Sequence, residues 1–280
     1  MDMAKVTLGG FQVCYRDKGK QHLPPPAPGG RLPVILIHGA AGGAHVWFDQ
    51  LGILSRTRRT VAIDLPGHGC SKHFVSSTVT ISDYAKNVLD LAAALGLDRV
   101  VLVGHSMGGA IALQAALTAP SRVAGLVLAA TSHRLPVSDQ IFDVIENHFE
   151  SFGDLLAAFA FSDAADPDMV KLWTEPPLVA TQSTVLADFR ACDVFDVTDQ
   201  LHGIRCPALV LHGDLDKMVT RAQVVALASK LQHGMLTEFS GVGHMLFQEA
   251  AEAATDAVER FVSQLDETEA SQDVKQRGSE

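Results

Sequence analysis

Short apolar runs recur along this chain, and longer amphipathic stretches separate them. Residues 34–37, 60–63, 99–103, 123–128, 208–211 and 235–239 are runs of this kind. Runs of that length predict strands, and the absence of polar alternation in most of them predicts burial on both faces. Between the runs the period changes. Tyr84, Val88, Leu91 and Leu95 recur at helical spacing behind a Thr80-x-x-Asp83 capping box, and Gly96 stops the helix. Residues 109–117 read as a buried helix, and Thr220-x-x-Gln223 opens another that runs to about Leu231. Phe247, Ala251, Ala254, Val258, Phe261 and Leu265 mark one face of a last helix. At the start, residues 5–8 and 11–16 flank Gly9-Gly10 as a hairpin would. The proline-rich stretch 23–30 reads as an exposed loop. Strands alternating with helices predict an α/β fold, a mostly parallel sheet flanked by helices on both sides.

The alternation fails between His133 and Phe195. That segment has no convincing buried strand, and Ile141, Val144, Ile145, His148, Phe149, Phe152, Leu155, Leu156 and Phe159 recur at helical spacing. Seven of the chain's thirteen phenylalanines fall there. The expected organisation is a core in two parts, 1–132 and 196–265, around a helical insertion at 133–195. The polar, charged tail at 266–280 is expected to be disordered.

Composition narrows the picture. A chain of 280 residues that is 47% hydrophobic can bury a large core. Its formal charge of −10 disfavours nucleic acid and anionic membrane surfaces. No run approaches a membrane span, and the first residues lack the apolar core of a signal peptide, so a cytoplasmic location is expected. Cys14, Cys70, Cys192 and Cys206 are widely spaced without a C-x-x-C pair, and reduced thiols are expected.

The candidate chemistry sits at the ends of the predicted strands. Gly104-His105-Ser106-Met107-Gly108 lies between a strand and a helix. A serine on that corner has an exposed hydroxyl, and the flanking glycines leave room for the turn. A serine hydroxyl needs a base to become a nucleophile, and the base needs an orienting acid. Asp214 and Asp216 follow the run at 208–211, and His244 follows the run at 235–239. His38 and His105 are far apart, with no cysteine or carboxylate at ligand spacing, so zinc is not expected. His68, in a Pro-Gly-His-Gly turn, reads as structural, and Trp47 reads as core more readily than as pocket wall.

With Ile37-His38-Gly39-Ala40, Asp64-Leu65-Pro66-Gly67-His68-Gly69-Cys70-Ser71, the Ser106 corner, Gly213-x-x-Asp216 and Gly243-His244 in this order, the chain resembles the α/β-hydrolase superfamily. The resemblance runs from about Lys5 to about Leu265. It is to the cofactor-free group of esterases, perhydrolases, enol-lactonases and carbon–carbon bond hydrolases. It implies Ser106 as nucleophile, His244 as base and Asp216 as acid, with Asp214 the runner-up one turn-position earlier. It also implies an oxyanion hole formed by the backbone N–H groups of Ala40 and Met107. The helical insertion would be a cap over the active site, with some of its apolar residues lining the pocket.

The expected function is therefore a serine hydrolase that cleaves a carboxylic ester with an apolar acyl or alcohol group through an acyl-enzyme. No cofactor or metal is required, the partner is a small molecule, and no oligomeric state is implied. Lactone opening, carbon–carbon cleavage and perhydrolysis share every one of these motifs. So does a slow-turnover receptor on the same scaffold. Dehalogenases and epoxide hydrolases are disfavoured, because they carry Asp where this chain has Ser106.

Overall fold

The predicted hairpin opens the chain. In the computed structural model, which describes residues 3–19, 31–72, 78–174 and 179–277, β1 (Ala4–Leu8) and β2 (Phe11–Lys18) pair antiparallel. Gly9 and Gly10 turn between them with φ of 56° and 90°, a region that suits glycine. The proline-rich stretch 23–30 lies outside the described residues. The apolar runs follow as β3 (Val34–Ile37), β4 (Thr60–Ile63), β5 (Val100–His105), β6 (Val123–Ala129), β7 (Ala208–Gly213) and β8 (Gly234–Phe239). Every residue of β3 to β7 is buried, whereas β8 is half exposed because it closes one edge.

Among the described residues the strands form one sheet in the order β1-β2-β4-β3-β5-β6-β7-β8. From β4 to β8 every pairing is parallel. The chain winds from β3 to β4 on one side and then crosses to β5 on the other. Loops leaving the C-terminal ends of β3 and β5 therefore diverge, which opens a crevice for a ligand at that switch point.

The helices are α1 (Phe48–Leu54), α2 (Ile81–Ala94), α3 (Met107–Thr118), α4 (Asp139–Asn147), α5 (Phe152–Ala160), α6 (Pro167–Thr174), α7 (Gln182–Asp193), α8 (Arg221–Lys230), α9 (Leu246–Glu249) and α10 (Ala251–Arg277). Thr80 and Thr220 both form complete capping boxes, as their spacing predicts. Alternate strand residues feed opposite layers. Ile35, Ile37 and Leu102 pack with Val88 of α2 and Ile111 of α3. Val34, Leu36, Val101 and Val103 pack with Leu51 of α1 and Phe261 of α10. Helices α4 to α7 lie between β6 and β7 in sequence and carry a small core of their own around Ile145, Phe152, Val185 and Phe189. The apolar run from 141 to 159 is broken at His148, where φ is −140° and α4 ends.

Three expectations are corrected. First, the tail from Asp266 continues α10 to Arg277 instead of being disordered. Buried Arg58 explains the change, since a guanidinium with 1% exposure requires counter-charges. Glu259 takes it with both carboxylate oxygens, Asp266 pairs with it at 2.8 Å and also accepts Leu32 N–H, and Glu269 pairs with Arg99 further along. Second, the last helix is two pieces, because Ala250 (φ −131°) separates α9 from α10. Third, Cys14 and Cys70 form a disulfide, leaving Cys192 and Cys206 as free thiols.

The disulfide ties β2 to the turn after β4 and closes a loop across a separation of 56 residues. Restricting the unfolded chain over such a loop stabilises the fold by up to about 4 kcal/mol. Cys70→Ser, at an exposed position, is expected to lower the unfolding free energy by about 2–4 kcal/mol in urea. An unchanged midpoint would show that the bond constrains little. No helix among the described residues is long and apolar enough to cross a membrane.

Candidate active site

Ser106 stands where β5 turns into α3, with φ 54° and ψ −119°. Both flanking glycines are required by contact. A Cβ on Gly104 would lie 2.1 Å from the Gly108 carbonyl oxygen, and one on Gly108 would lie 2.2 Å from the Ile37 carbonyl oxygen. The second contact presses the start of α3 against the end of β3. Gly39, just beyond β3, is packed less tightly but still close: a Cβ there would lie 3.2 Å from Ser106 Cβ. The turn carrying Ala40 therefore sits beside the serine. Met107 is the first residue of α3, so its N–H belongs to the positive end of a helix.

Asp216 and His244 are brought together from the ends of β7 and β8. His244 Nδ1–H donates to Asp216 Oδ2 at 2.9 Å and to Oδ1 at 3.1 Å. Asp216 Oδ1 also accepts the N–H groups of Met218 and Val219. Burial pushes the Asp216 pKa up, but His244 and these donors outweigh burial and hold the carboxyl below the usual carboxylate range. Asp214 is placed otherwise. Its carboxylate accepts Gly241 N–H at 2.6 Å and the Ser240 hydroxyl at 3.0 Å, which staples the turn after β8.

The surroundings of His244 involve contacts of His105 and Glu249 to which the sequence assigned no role. His105 Nε2–H donates to the His244 carbonyl oxygen at 2.9 Å, and the two rings meet edge to face. Burial, with the neighbouring His244, pushes the His105 pKa down to about 3, so its ring is neutral. Glu249 Oε2 accepts Gly243 N–H and Ser162 N–H, both at 3.1 Å, joining the His244 loop to the stretch just after α5 in the insertion. These are long-range contacts of ordinary residue types, without a sequence spacing that marks them.

Ser106, His244, Ala40 and His105 line one cavity of about 480 Å³, an ordinary size for a small-molecule site. The insertion supplies much of its wall, including Leu135, Ile141, Phe152, Leu156, Phe159 and Phe189. Trp173 also lines it, stacked on His45, whereas Trp47 is fully buried against Phe247 in the core. Lys217 is the one lysine or arginine among the described lining residues, and no aspartate or glutamate joins it there. Its ammonium is engaged by Asp163 at 2.7 Å and the Ala158 carbonyl at 3.1 Å.

His38 and His68 lie behind the Ser106 turn with their rings 4.8 Å apart. His38 Nε2 accepts Leu65 N–H, which makes Nδ1 the protonated nitrogen, donating to the Gly39 carbonyl. Burial, reinforced by His68, holds the His38 pKa well below the ordinary value. Among the described residues no three His, Cys, Asp or Glu side chains are grouped to hold a metal ion.

A sequence profile of the alpha/beta hydrolase family matches residues 34–258. The dihydrolipoyllysine-residue acetyltransferase component of the acetoin cleaving system from Pseudomonas putida is 30% identical over 277 residues, covering 92% of this chain and 68% of that protein. The (E)-2-((N-methylformamido)methylene)succinate hydrolase of Acinetobacter baylyi is 26% identical over 238 residues, covering 82% and 90%. Among solved structures, a thermophilic esterase from Thermogutta terrifontis superposes with a TM-score of 0.82 at 24% identity, covering 95% of this chain and 99% of the other.

Proposed function

The chain belongs to the alpha/beta hydrolase family, and from that premise we propose that it is a serine hydrolase cleaving carboxylic esters with an apolar acyl or alcohol group. The observation that carries this reading is His244, bonded to Asp216 behind it, on the wall of the cavity that Ser106 lines. Asp216 occupies His244 Nδ1–H, which leaves Nε2 as the nitrogen with a lone pair to accept the Ser106 proton.

Ser106 Oγ attacks the ester carbonyl carbon while His244 Nε2 takes the hydroxyl proton. The carbonyl electrons move to oxygen, and the N–H groups of Ala40 and Met107 hold that oxyanion. Its collapse breaks the bond to the alcohol, which leaves with the proton from His244. Water then gives a proton to His244 and attacks the acyl-serine. Collapse of the second oxyanion breaks the bond to Ser106 Oγ, which takes the proton back from His244 as the acid is released. Asp216 fixes the imidazole tautomer and stabilises the imidazolium formed in each step. The insertion acts as a cap whose phenylalanine and leucine side chains receive the apolar part of the substrate.

Ester chemistry is favoured over cleavage of a carbon–carbon bond in an acidic substrate by the state of Lys217. A cation suits the carboxylate of such a substrate, and among the described lining residues Lys217 is the one lysine or arginine, paired with Asp163. The test is turnover of p-nitrophenyl esters from acetate to a long acyl chain, with mass spectrometry after treatment by an organophosphonate. An optimum beyond acetate and a single adduct on Ser106 are expected. A folded protein that turns over no ester and takes no adduct would overturn the reading.

A further inference from the structure

Carboxylates seldom lie fully buried, because desolvation opposes the charge unless donors surround it. Asp188, on α7 of the insertion, has no exposure. Its Oδ1 accepts the Tyr84 hydroxyl from α2 at 2.6 Å. Its Oδ2 accepts His68 Nε2–H at 2.8 Å and Ala41 N–H at 3.0 Å. The other His68 nitrogen, Nδ1, lies 3.2 Å from the Pro66 carbonyl oxygen. A carboxylate and a carbonyl can only accept, so the imidazolium form, in which both ring nitrogens donate, is the one that satisfies both contacts. Burial pulls the His68 pKa down, but the charge and hydrogen bond of Asp188 outweigh it and leave it raised.

A buried ion pair is a poor way to hold a helix against a sheet, since apolar side chains of the same volume do so at no desolvation cost. The arrangement is better explained by what it fixes. Ala41 has φ 59°, a strained value for a residue with a side chain, in the 39–42 turn closed by Gly42 N–H on the Gly39 carbonyl. In a trans peptide the Ala40 carbonyl points opposite to the Ala41 N–H. Anchoring Ala41 N–H on Asp188 therefore fixes the peptide plane that follows Ala40. Gly42 N–H and His38 Nδ1–H hold the Gly39 carbonyl, which shares its plane with Ala40 N–H. With both planes held, the direction of Ala40 N–H is set.

We propose that Asp188, gripped by His68 and Tyr84, is a positioning residue that holds the 39–42 turn so that Ala40 N–H faces the oxyanion formed on Ser106. The proposal rests on the serine-hydrolase reading above. It makes α7 part of the catalytic framework, coupled to the end of β3, rather than a roof that only shapes the pocket.

The test is Asp188→Asn, which keeps the volume but turns an amide N–H toward a donor. A misaimed oxyanion donor is expected to lower kcat by about 10–100-fold with KM within about twofold. Affinity for an aryl trifluoromethyl ketone, which forms a tetrahedral oxyanion on serine, should fall by the same factor, while affinity for the carboxylic acid product is unchanged. Tyr84→Phe removes one donor and leaves the charge, so a smaller loss of kcat with the same split is expected, and it carries the test if the Asn variant does not fold. Folded variants whose kcat and ketone affinity match the wild type would reduce Asp188 to a packing role. A loss shared with KM and product affinity would move it to the substrate-binding wall, and either outcome overturns the proposal. Wild-type protein that hydrolyses no ester would overturn the hydrolase reading instead.

Discussion

Ser106→Ala is expected to lower kcat on the best p-nitrophenyl ester by about 10⁶-fold without changing the fold. The size follows from the role, because every covalent step passes through Ser106 Oγ. The thiol on the cavity wall, Cys192, is a poor substitute nucleophile. Burial, aided by Asp188 and Asp193, pushes the Cys192 thiol far up and keeps it protonated. What remains in the variant is binding and the oxyanion donors, which still act on water attacking the ester directly. Stability should be unaffected by Ala, which keeps the Cβ and hence the same backbone strain at φ 54°. Ser106→Gly should be equally inactive and more stable than Ser106→Ala by roughly 1 kcal/mol, since glycine occupies that region at no steric cost. An Ala variant that keeps more than about a hundredth of wild-type kcat would remove Ser106 from the chemistry.

The sequence makes the parts of this site visible to different degrees, for a physical reason. Ser106 directly follows β5, and Asp216 and His244 follow β7 and β8 by short turns, so hydrophobic runs locate them and local turn chemistry sets their spacing. Asp188 and Tyr84 are 104 positions apart, and neither sits in a motif. Their meeting depends on how an inserted helix docks on the core, and helical periodicity does not contain that docking. The Cys14–Cys70 bond is hidden in the same way. It joins β2 to the turn after β4, and that adjacency is a property of strand order, here β2-β4-β3, rather than of cysteine spacing. The tail's polar composition predicts disorder, whereas α10 runs on to Arg277. Composition reports the absence of a core-forming face, but Asp266 and Glu269 are ordered by charge, through Arg58 and Arg99. A buried arginine on the folded core can thus extend a helix that its own sequence would leave frayed.

The choice between the two acids after β7 carries the second large effect. Asp216→Asn is expected to lower kcat by about 10³–10⁴-fold, whereas Asp214→Asn should stay within about threefold of wild type. Asparagine fits the Asp216 site, but its amide N–H favours the imidazole tautomer with hydrogen on Nε2, which cannot accept the Ser106 proton. Asp214 has no such leverage, because its bonds go to Gly241 and Ser240 on the turn rather than to the ring. The folded-state pKa of Asp216 lies below its unfolded value, so its stabilising contribution is present above the ordinary carboxylate range and is lost as pH falls through the lower folded value. Asp216 is therefore ionised throughout the working range, and His105, held down to about 3, stays neutral there. Neither of these two groups therefore changes charge where His244 takes the Ser106 proton. Reversal of the two asparagine variants, with Asp214→Asn severe and Asp216→Asn mild, would transfer the acid role to Asp214. It would also require the turn after β8 to rearrange during turnover, since in this structure that carboxylate is committed to Gly241 and Ser240.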